Sequence, residues 1–205
     1  MTASLPPGEP SIDERIVELT SAVHRTEPWS LGVTSLALAR RLDVQETALL
    51  IDLARMAEAG TLVRRFGYFA LPGHAVALSA HQREFFEPLL PPEGDETPAP
   101  VSFADVAAAV RSGRVEGVSK AFDTLLAIGA LVRIGDDCYR GSQLAAMQRA
   151  IGAHFRKHER LTVAEFRDLA GTTRKHAVPL LEWFDRCGVT RRDGIDRTRG
   201  DAAAF

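Results

Sequence analysis

The sequence has few of the features that would place a protein outside the cytoplasm. It contains only two cysteines, Cys138 and Cys187, which lie far apart in the chain. Two isolated cysteines exclude the disulfide framework of a small secreted protein and fit a reducing compartment. The first ten residues, MTASLPPGEP, have neither the basic start nor the apolar centre of a signal peptide. No apolar run approaches the ~20 residues that a membrane-spanning helix needs. We therefore expect a cytoplasmic protein with no membrane partner.

Motifs typical of enzymes are also missing. The stretch SGRVEGVSK contains glycines and a lysine, but it lacks the G-x-x-x-x-G-K spacing that cradles phosphates. His154 and His158 are one helical turn apart, but no adjacent glutamate or third ligand accompanies them, so we expect them on a helix surface beside Arg156 and Lys157. The sequence therefore predicts no catalytic residues, no metal site and no cofactor.

The positive and negative charges nearly cancel overall, but they are unevenly distributed. The net charge is −2, so the whole chain is not a polycation. Residues 151–200 contain 11 Lys and Arg against 7 Asp and Glu, whereas the rest of the chain contains 14 against 20. This asymmetry indicates a basic module near the end of the chain that meets a polyanion, although a solvated surface of mixed charge would give the same counts.

One pattern occurs three times along the chain. Its anchors are Gly60, Gly129 and Gly188, at each of which a helical pattern ends and a hairpin pattern follows. Equivalent positions hold similar residues. Four positions before the anchors stand Met56, Leu125 and Phe184, and four positions after them stand Arg64, Arg133 and Arg192. A glycine directly after a helix is typical of a left-handed residue that ends it.

Two shorter helical patterns precede each anchored helix. The order of three helices and a hairpin is that of the winged-helix form of the helix-turn-helix, so the sequence predicts a mainly α fold with small β-hairpin wings. We place three tandem winged-helix domains at residues 11–77, 78–141 and 142–200. The proline-rich stretch PLLPPEGDETPAP then falls inside the second domain. In the first domain, Asp43 and Glu46 are expected to cap the third helix.

The segment GTTRKHAVPLLEWFDRCGVTRR has two unusual features. Arg174, Lys175 and His176 crowd the first turn of a predicted helix, where the helix dipole disfavours positive charge. Pro179 lies inside the same helix, where proline costs about 3 kcal/mol in a free helix. Thr172 or Thr173 is expected to be the N-cap. Helical spacing turns one set of residues towards the core: Ala177, Leu180, Leu181 and Phe184. A basic first turn is reasonable if it meets phosphates, because the helix N-terminus also offers unpaired N–H groups to an anion.

The longer stretch LTVAEFRDLAGTTRKHAVPLLEWFDRCGVTRR resembles the C-terminal domain of SelB, the bacterial selenocysteine-specific translation elongation factor. The family pattern is close to T-x-x-x-F-R-D-L-x-G-T-S-R-K-Y-A-x-P-L-L-E-x-F-D-x-x-G-x-T-R-R. Matching residues include Phe166–Asp168, Gly171, Thr172, Arg174, Lys175, Ala177, Pro179–Glu182, Phe184, Asp185, Gly188 and Thr190–Arg192. The three-unit organisation and FALPGHAVALSAHQ also resemble the winged-helix arm of that family.

The resemblance implies a function and partners. In that family the last winged helix binds the selenocysteine insertion element, an mRNA hairpin near the recoded UGA. The full factor carries a GTPase part and acts on the ribosome. The present chain has no GTPase motif, so we expect it to be the arm alone, as a fragment or a split form, and not itself an enzyme. The RNA-binding residues carried over are Thr172, Thr173, Arg174, Lys175, His176, Arg191, Arg192 and Arg197.

The chain departs from the family pattern at three places. Thr173 stands where serine is usual and keeps the hydroxyl, and His176 stands where tyrosine is usual and keeps a flat ring. The end, DGIDRTRGDAAAF, lacks the apolar wing strand that closes the family's domain, so we expect a frayed wing there.

Two other functions fit the same fold. One is a tandem winged-helix DNA-binding or chromosome-associated protein. The other is a scaffold for protein interactions, which suits the first domain, because Asp43, Glu46 and Asp52 around its recognition helix are poor partners for phosphate. We therefore expect the first and second domains to serve as spacers.

Overall fold

The computed structural model describes residues 10–92 and 99–202. Its helices are α1 (Ile12–Thr26), α2 (Ser35–Leu42), α3 (Glu46–Glu58), α4 (Ala80–Phe86), α5 (Phe103–Ser112), α6 (Val118–Ala127), α7 (Gly141–Phe155), α8 (Val163–Leu169) and α9 (Arg174–Arg186). Its strands are β1 (Val33–Thr34), β2 (Val63–Arg65), β3 (Tyr68–Ala70), β4 (Val101–Ser102), β5 (Leu131–Ile134), β6 (Asp137–Arg140), β7 (Thr190–Asp193) and β8 (Asp196–Arg199). The structure is thus mainly helical with small antiparallel sheets, as the sequence predicted.

Each of the predicted wings is a β-hairpin. The strand orders of the sheets are β1-β3-β2, β4-β6-β5 and β7-β8. In each of the first two sheets a two-residue strand adds to the hairpin. The strand β1 directly precedes α2 and pairs Val33 with Phe69, and β4 directly precedes α5 and pairs Val101 with Cys138. Leu161 makes the equivalent single bridge to Arg197 beside the third hairpin. These short strands were not predicted, because two residues are too few to show an alternating pattern.

The three anchor glycines have the same conformation. Gly60, Gly129 and Gly188 each have a φ of 72°, the left-handed region in which glycine is favoured, so the expectation for these positions is confirmed. A second glycine follows two of them at the end of the hairpin. A Cβ atom at Gly141 would overlap the Gly129 carbonyl oxygen, and one at Gly200 would overlap that of Gly188. Only glycine fits at these two positions without a shift of the backbone.

The start of α3, in the first predicted domain, differs from the expectation. Asp43 does not cap α3; it ends α2 in a left-handed conformation with a φ of 56°. The backbone of Gln45 begins α3, and the Glu46 carboxylate accepts a 2.6 Å hydrogen bond from the Ser35 hydroxyl. The prediction was wrong because an aspartate before a helical pattern fits either the end of one helix or the start of the next.

Contacts between Cα atoms divide the chain into two compact units. Of the described residues, the first unit comprises 10–82 and Val115–Thr124, and the second comprises 83–92, 99–114 and 125–202. The predicted boundaries at 77/78 and 141/142 therefore stay predictions. The proline-rich stretch PLLPPEGDETPAP, placed inside the second predicted domain, lies only partly within the described residues, since 93–98 are outside them.

The core of the second unit brings α7, α8 and α9 together with the β5–β6 hairpin. Its fully buried members from α9 are Ala177, Leu180, Leu181 and Phe184. Ile134 and Tyr139 of the hairpin belong to the same cluster, at 2% and 1% exposure. The recognition helix is thus packed both within its own three-helix bundle and against the preceding hairpin. Over the part of the chain that the structure describes, no helix is long and apolar enough to span a bilayer.

Candidate nucleic-acid interface

A tight turn between α8 and α9 sets where α9 begins. Thr162 and Glu165 form a capping box at the start of α8. After α8, Gly171 has a φ of 58°, and the Thr172 N–H donates a 3.0 Å hydrogen bond to the Arg167 carbonyl. Thr173 then becomes the N-cap, as predicted, and its carbonyl accepts from the Ala177 N–H at 2.9 Å.

The Thr173 side chain makes no capping hydrogen bond, although threonine at this position usually does. The side chain is exposed, and the first turn of α9 contains no acidic residue. Its hydroxyl therefore remains available to a ligand, next to N–H groups that the helix itself does not use.

Arg174 and Lys175 form an exposed basic turn at the start of α9. Within the described residues, neither side chain makes a hydrogen bond or an ion pair. Two cations at the N-terminus of a helix are destabilised by the positive end of the helix dipole when no anion is present. An anion at this turn would meet both side chains and the free peptide N–H groups at once.

His176, the third predicted residue of the turn, is held from outside the helix. Its Nδ1 lies 2.7 Å from the Asp137 carboxylate oxygen Oδ2, and the two side chains are 18% and 21% exposed. Asp137 is the first residue of β6, whereas Gly135 and Asp136 make the turn of that hairpin. Asp136 therefore lies in the hairpin turn, whereas Asp137 belongs to the strand.

The wing that follows α9 carries two exposed arginines, Arg191 and Arg192, on β7. The Arg191 side chain has no polar partner among the described residues. The Arg192 Nε donates a 3.2 Å hydrogen bond to the Gly194 carbonyl in the turn of its own hairpin. Arg133 makes the same bond to Gly135 at 2.9 Å in the preceding hairpin. The arginine at this repeated position thus steadies the wing turn through its Nε, and a guanidinium has four further N–H donors.

The third wing is fully formed, so the expectation that it is frayed was wrong. β7 and β8 pair over four residue pairs, from Thr190↔Arg199 to Asp193↔Asp196. The main chain of Arg197 exchanges two 2.9 Å hydrogen bonds with that of Leu161. These bonds connect the wing to the core, the role that an apolar wing strand was expected to have.

Arg197 supports this wing from the inside. Its side chain is only 3% exposed, and its Nε lies 3.4 Å from Oδ2 of Asp185 on α9. The other Asp185 oxygen accepts a 2.5 Å hydrogen bond from the Thr190 hydroxyl on β7. Because this guanidinium is buried, the geometry favours a supporting role for Arg197, and the RNA contact expected of it stays a prediction.

Asp137 and Asp185 are the residues that the sequence did not reveal as part of the site. Asp137 contacts His176, and Asp185 contacts Arg197. In both pairs the two residues belong to different elements, so no regular spacing in the sequence could reveal the contact. Asp185 belongs to the family pattern, which was the only hint of its importance.

Arg160 belongs to the support of the wing as well. Its guanidinium lies 2.8 Å from Asp193 and 3.7 Å from Asp196, at the turn of the wing. These ion pairs offset the charge of two acidic residues beside the wing turn.

The two histidines considered as metal ligands stack on each other, with ring centroids 4.5 Å apart. His154 is in the last turn of α7, and His158 lies beyond its end. The His154 Nε2 is 2.7 Å from the Arg160 carbonyl oxygen. Among the residues that the structure describes, no group of three or more possible ligands could hold a metal ion.

Comparison with known proteins adds independent evidence. Residues 153–199, which contain α8, α9 and the third wing, match the family described as "Elongation factor SelB, winged helix". The selenocysteine-specific elongation factor of Desulfomicrobium baculatum is 27% identical over 192 residues, covering 88% of this chain and 29% of the relative. That of Escherichia coli (strain K12) is 28% identical over 193 residues, covering 89% of this chain and 29% of the relative.

A solved structure shows a weaker likeness. It is the mRNA-binding domain of elongation factor SelB from E. coli in complex with SECIS RNA, with 26% identity and a TM-score of 0.45. The match covers 60% of this chain and 100% of that one. The chain spans under a third of the length of the curated relatives, at 29%. Over most of its own length the chain is similar to the selenocysteine-specific elongation factors, and residues 153–199 match the SelB winged-helix family.

Proposed function

We propose that this chain is the RNA-binding module of a selenocysteine-specific elongation factor, which recognises the selenocysteine insertion hairpin of mRNA for incorporation at UGA. The observation that carries the proposal is the exposed turn of Arg174 and Lys175, which has no anionic partner among the described residues and lies inside the SelB-type domain. RNA phosphates would supply that partner. The remaining parts of the factor would carry the GTPase activity and the contact with the ribosome, in the cytoplasm.

The contacts that we assign follow the exposure of the side chains. Arg174, Lys175 and Arg191 would bind phosphates, with the outer N–H groups of Arg192 assisting. The hydroxyls of Thr172 and Thr173 and the ring of His176 would meet splayed bases or sugars. A-form RNA has a deep and narrow major groove, so α9 would approach a loop or bulge with its N-terminus and would not lie in the groove.

The proposal assigns a different role to the first two of three tandem winged-helix domains, namely that of spacers. In the first, Arg55 on the recognition helix α3 is already bound by acidic residues, at 2.6 Å from Asp13 and 3.1 Å from Asp52. These carboxylates raise the pKa of the Arg55 guanidinium and would repel phosphate. A polyanion would therefore find no basic surface on this helix comparable with the first turn of α9.

The test is an equilibrium titration of the chain with a selenocysteine-element hairpin, against a duplex DNA of equal length, at several salt concentrations. We expect tighter binding to the RNA. Tighter binding to the DNA would favour the alternative, a tandem winged-helix DNA-binding or chromosome-associated protein. Binding to neither would leave the protein-interaction scaffold.

A further inference from the structure

Among the described residues, a polar contact joins the recognition helix to the preceding hairpin, the bond between Asp137 and His176. Asp137 lies on β6, whose backbone is paired on both sides, with Ser102 of β4 and Ile134 of β5. The same hairpin contributes Ile134 and Tyr139 to the core around α9. The carboxylate is therefore held on a rigid strand, at a fixed position relative to the first turn of α9.

The chemistry of the pair determines which ring nitrogen carries the proton. An ionised carboxylate only accepts hydrogen bonds, so the Nδ1 that lies 2.7 Å from Oδ2 must be the donor. In the neutral imidazole the other nitrogen, Nε2, then has a lone pair and accepts. Nε2 makes no hydrogen bond within the described residues and is not among their fully buried unpaired atoms, so it keeps access to solvent in a side chain that is 18% exposed.

We propose that Asp137 is a positioning residue for the RNA-reading turn, which fixes His176 as the Nδ1–H tautomer and presents Nε2 as a hydrogen-bond acceptor. The RNA group that fits an acceptor is a donor, either a ribose 2′-hydroxyl or a base amino group, and not a phosphate. His176 thus reads a chemical feature that its neighbours Arg174 and Lys175 do not. This inference rests on the proposed function, because it assigns one contact within that site.

The first experiment uses the full chain without RNA. ¹⁵N NMR of the histidine rings at about pH 8.5, roughly two units above the ordinary histidine pKa, reports the tautomer of each neutral imidazole. The His176 signals are identified by their loss in His176→Asn. We expect the Nδ1–H form in the parent chain and a shift towards Nε2–H in Asp137→Ala. A parent chain whose His176 is in the Nε2–H form would overturn the proposal, whatever RNA it binds.

The second experiment is a double-mutant cycle with the selenocysteine-element hairpin. Asparagine at position 176 keeps a donor near the place of Nδ1 but has no group at the place of Nε2. We expect Asp137→Ala to weaken binding about three- to tenfold in the parent chain, the range that one hydrogen bond contributes. In the His176→Asn background the same change should alter binding by less than about twofold. Equal losses in both backgrounds would show a merely structural role.

Two further measurements separate the outcomes. His176→Asn should leave the salt dependence of binding unchanged, because no phosphate contact is lost. A log–log salt slope flattened by about 0.7 would mean that His176 binds phosphate and would overturn the proposal.

Asp137→Asn, which keeps the shape of the side chain, replaces Asp137→Ala if the alanine variant does not fold, and we expect an intermediate loss of RNA affinity. A parent chain with the correct tautomer but no RNA affinity would refute the proposed function and, with it, the reading role of His176.

Discussion

At the scale of single residues, the same side-chain type has opposite roles in this domain. Arg174 is exposed on the first turn of α9, whereas Arg197 is buried against Asp185. The sequence placed both on the RNA, because charge and family pattern do not report the direction of a side chain on a strand. Burial favours a supporting role for Arg197 and a ligand-facing role for Arg174, since a desolvated guanidinium must keep its own carboxylate partner.

The exposed arginine gives a prediction for salt dependence. Arg174→Ala should weaken binding to the hairpin and flatten the log–log salt slope by about 0.7–0.9, as expected for the loss of one phosphate contact. Arg186→Ala is the matched control, because it removes the same charge from the last turn of the same helix, about 18 Å away. Titrations at four salt concentrations measure both slopes. An unchanged slope for Arg174→Ala would remove Arg174 from the site.

The buried pair gives a prediction for stability. Asp185→Ala should lower the free energy of unfolding by about 3 kcal/mol, because it leaves the Arg197 guanidinium buried without its carboxylate and frees the Thr190 hydroxyl. Asp168→Ala is the control: its side chain is 68% exposed and pairs with Arg167 at the surface, so we expect less than about 1 kcal/mol. Urea unfolding curves compare the two. Similar losses would mean that Asp185 does not hold the wing.

At the scale of elements, α9 could be predicted almost completely from its sequence. The four residues expected to face the core are all fully buried, and Lys175, Glu182 and Arg186 are exposed on the other side. The hairpin of the third wing was predicted, but its full pairing was not, because β8 has no alternating apolar pattern. It is held by the Leu161 bridge and the Arg197–Asp185 pair, which are contacts between distant positions in the chain.

Pro179 gives a prediction for this helix. It is partly buried, and α9 continues through it from Arg174 to Arg186. Proline has no N–H for the Lys175 carbonyl, so Pro179→Ala should restore a helical hydrogen bond, and the chain should melt no lower than the parent. We expect RNA affinity to fall nevertheless, because a straighter helix would aim the basic turn differently, while the salt slope stays nearly constant.

The alternative role for Pro179 is packing alone, and one sample distinguishes the two. If Pro179 only fits its neighbours, Pro179→Ala should lower the melting temperature, and affinity should follow only as far as folding does. A melting curve and a hairpin titration on the same preparation give both values. Higher stability with undiminished affinity would refute the role of the proline in RNA reading.

At the scale of the whole molecule, the three glycine anchors predicted the order of helices and hairpins along the chain. They did not predict how the chain divides into two compact units. Val115–Thr124, at the centre of the predicted second domain, belongs with the first unit. Lys120 forms a 2.6 Å ion pair with Glu27 there, and a Cβ atom at Gly117 would overlap the indole of Trp29. Such contacts between distant segments have no periodicity in the sequence, so they could not be predicted from it.

The predicted domain boundaries lead to expectations for large deletions. Deleting residues 142–205 should abolish hairpin binding, because it removes the whole basic site. Deleting residues 1–77 should leave most of the affinity but lower the melting temperature, since Val115–Thr124 would lose the residues that it packs with. A fragment of residues 1–141 that bound the hairpin as tightly as the full chain would refute the location of the site.

The core of the second unit gives the last prediction, a comparison of two fragments. A fragment of residues 142–205 follows the predicted boundary, whereas a fragment of residues 129–205 adds the β5–β6 hairpin. The longer fragment regains Ile134 and Tyr139, and burying a large apolar side chain contributes about 1.5–3 kcal/mol. It also regains Asp137 beside His176. We therefore expect it to melt higher and to bind the hairpin more tightly. Ile134→Ser with Tyr139→Ser in the longer fragment is the control, and should melt close to the shorter one. Equal melting temperatures for the two unmodified fragments would show that the boundary at residue 142 was correct and that the hairpin does not support the RNA-binding domain.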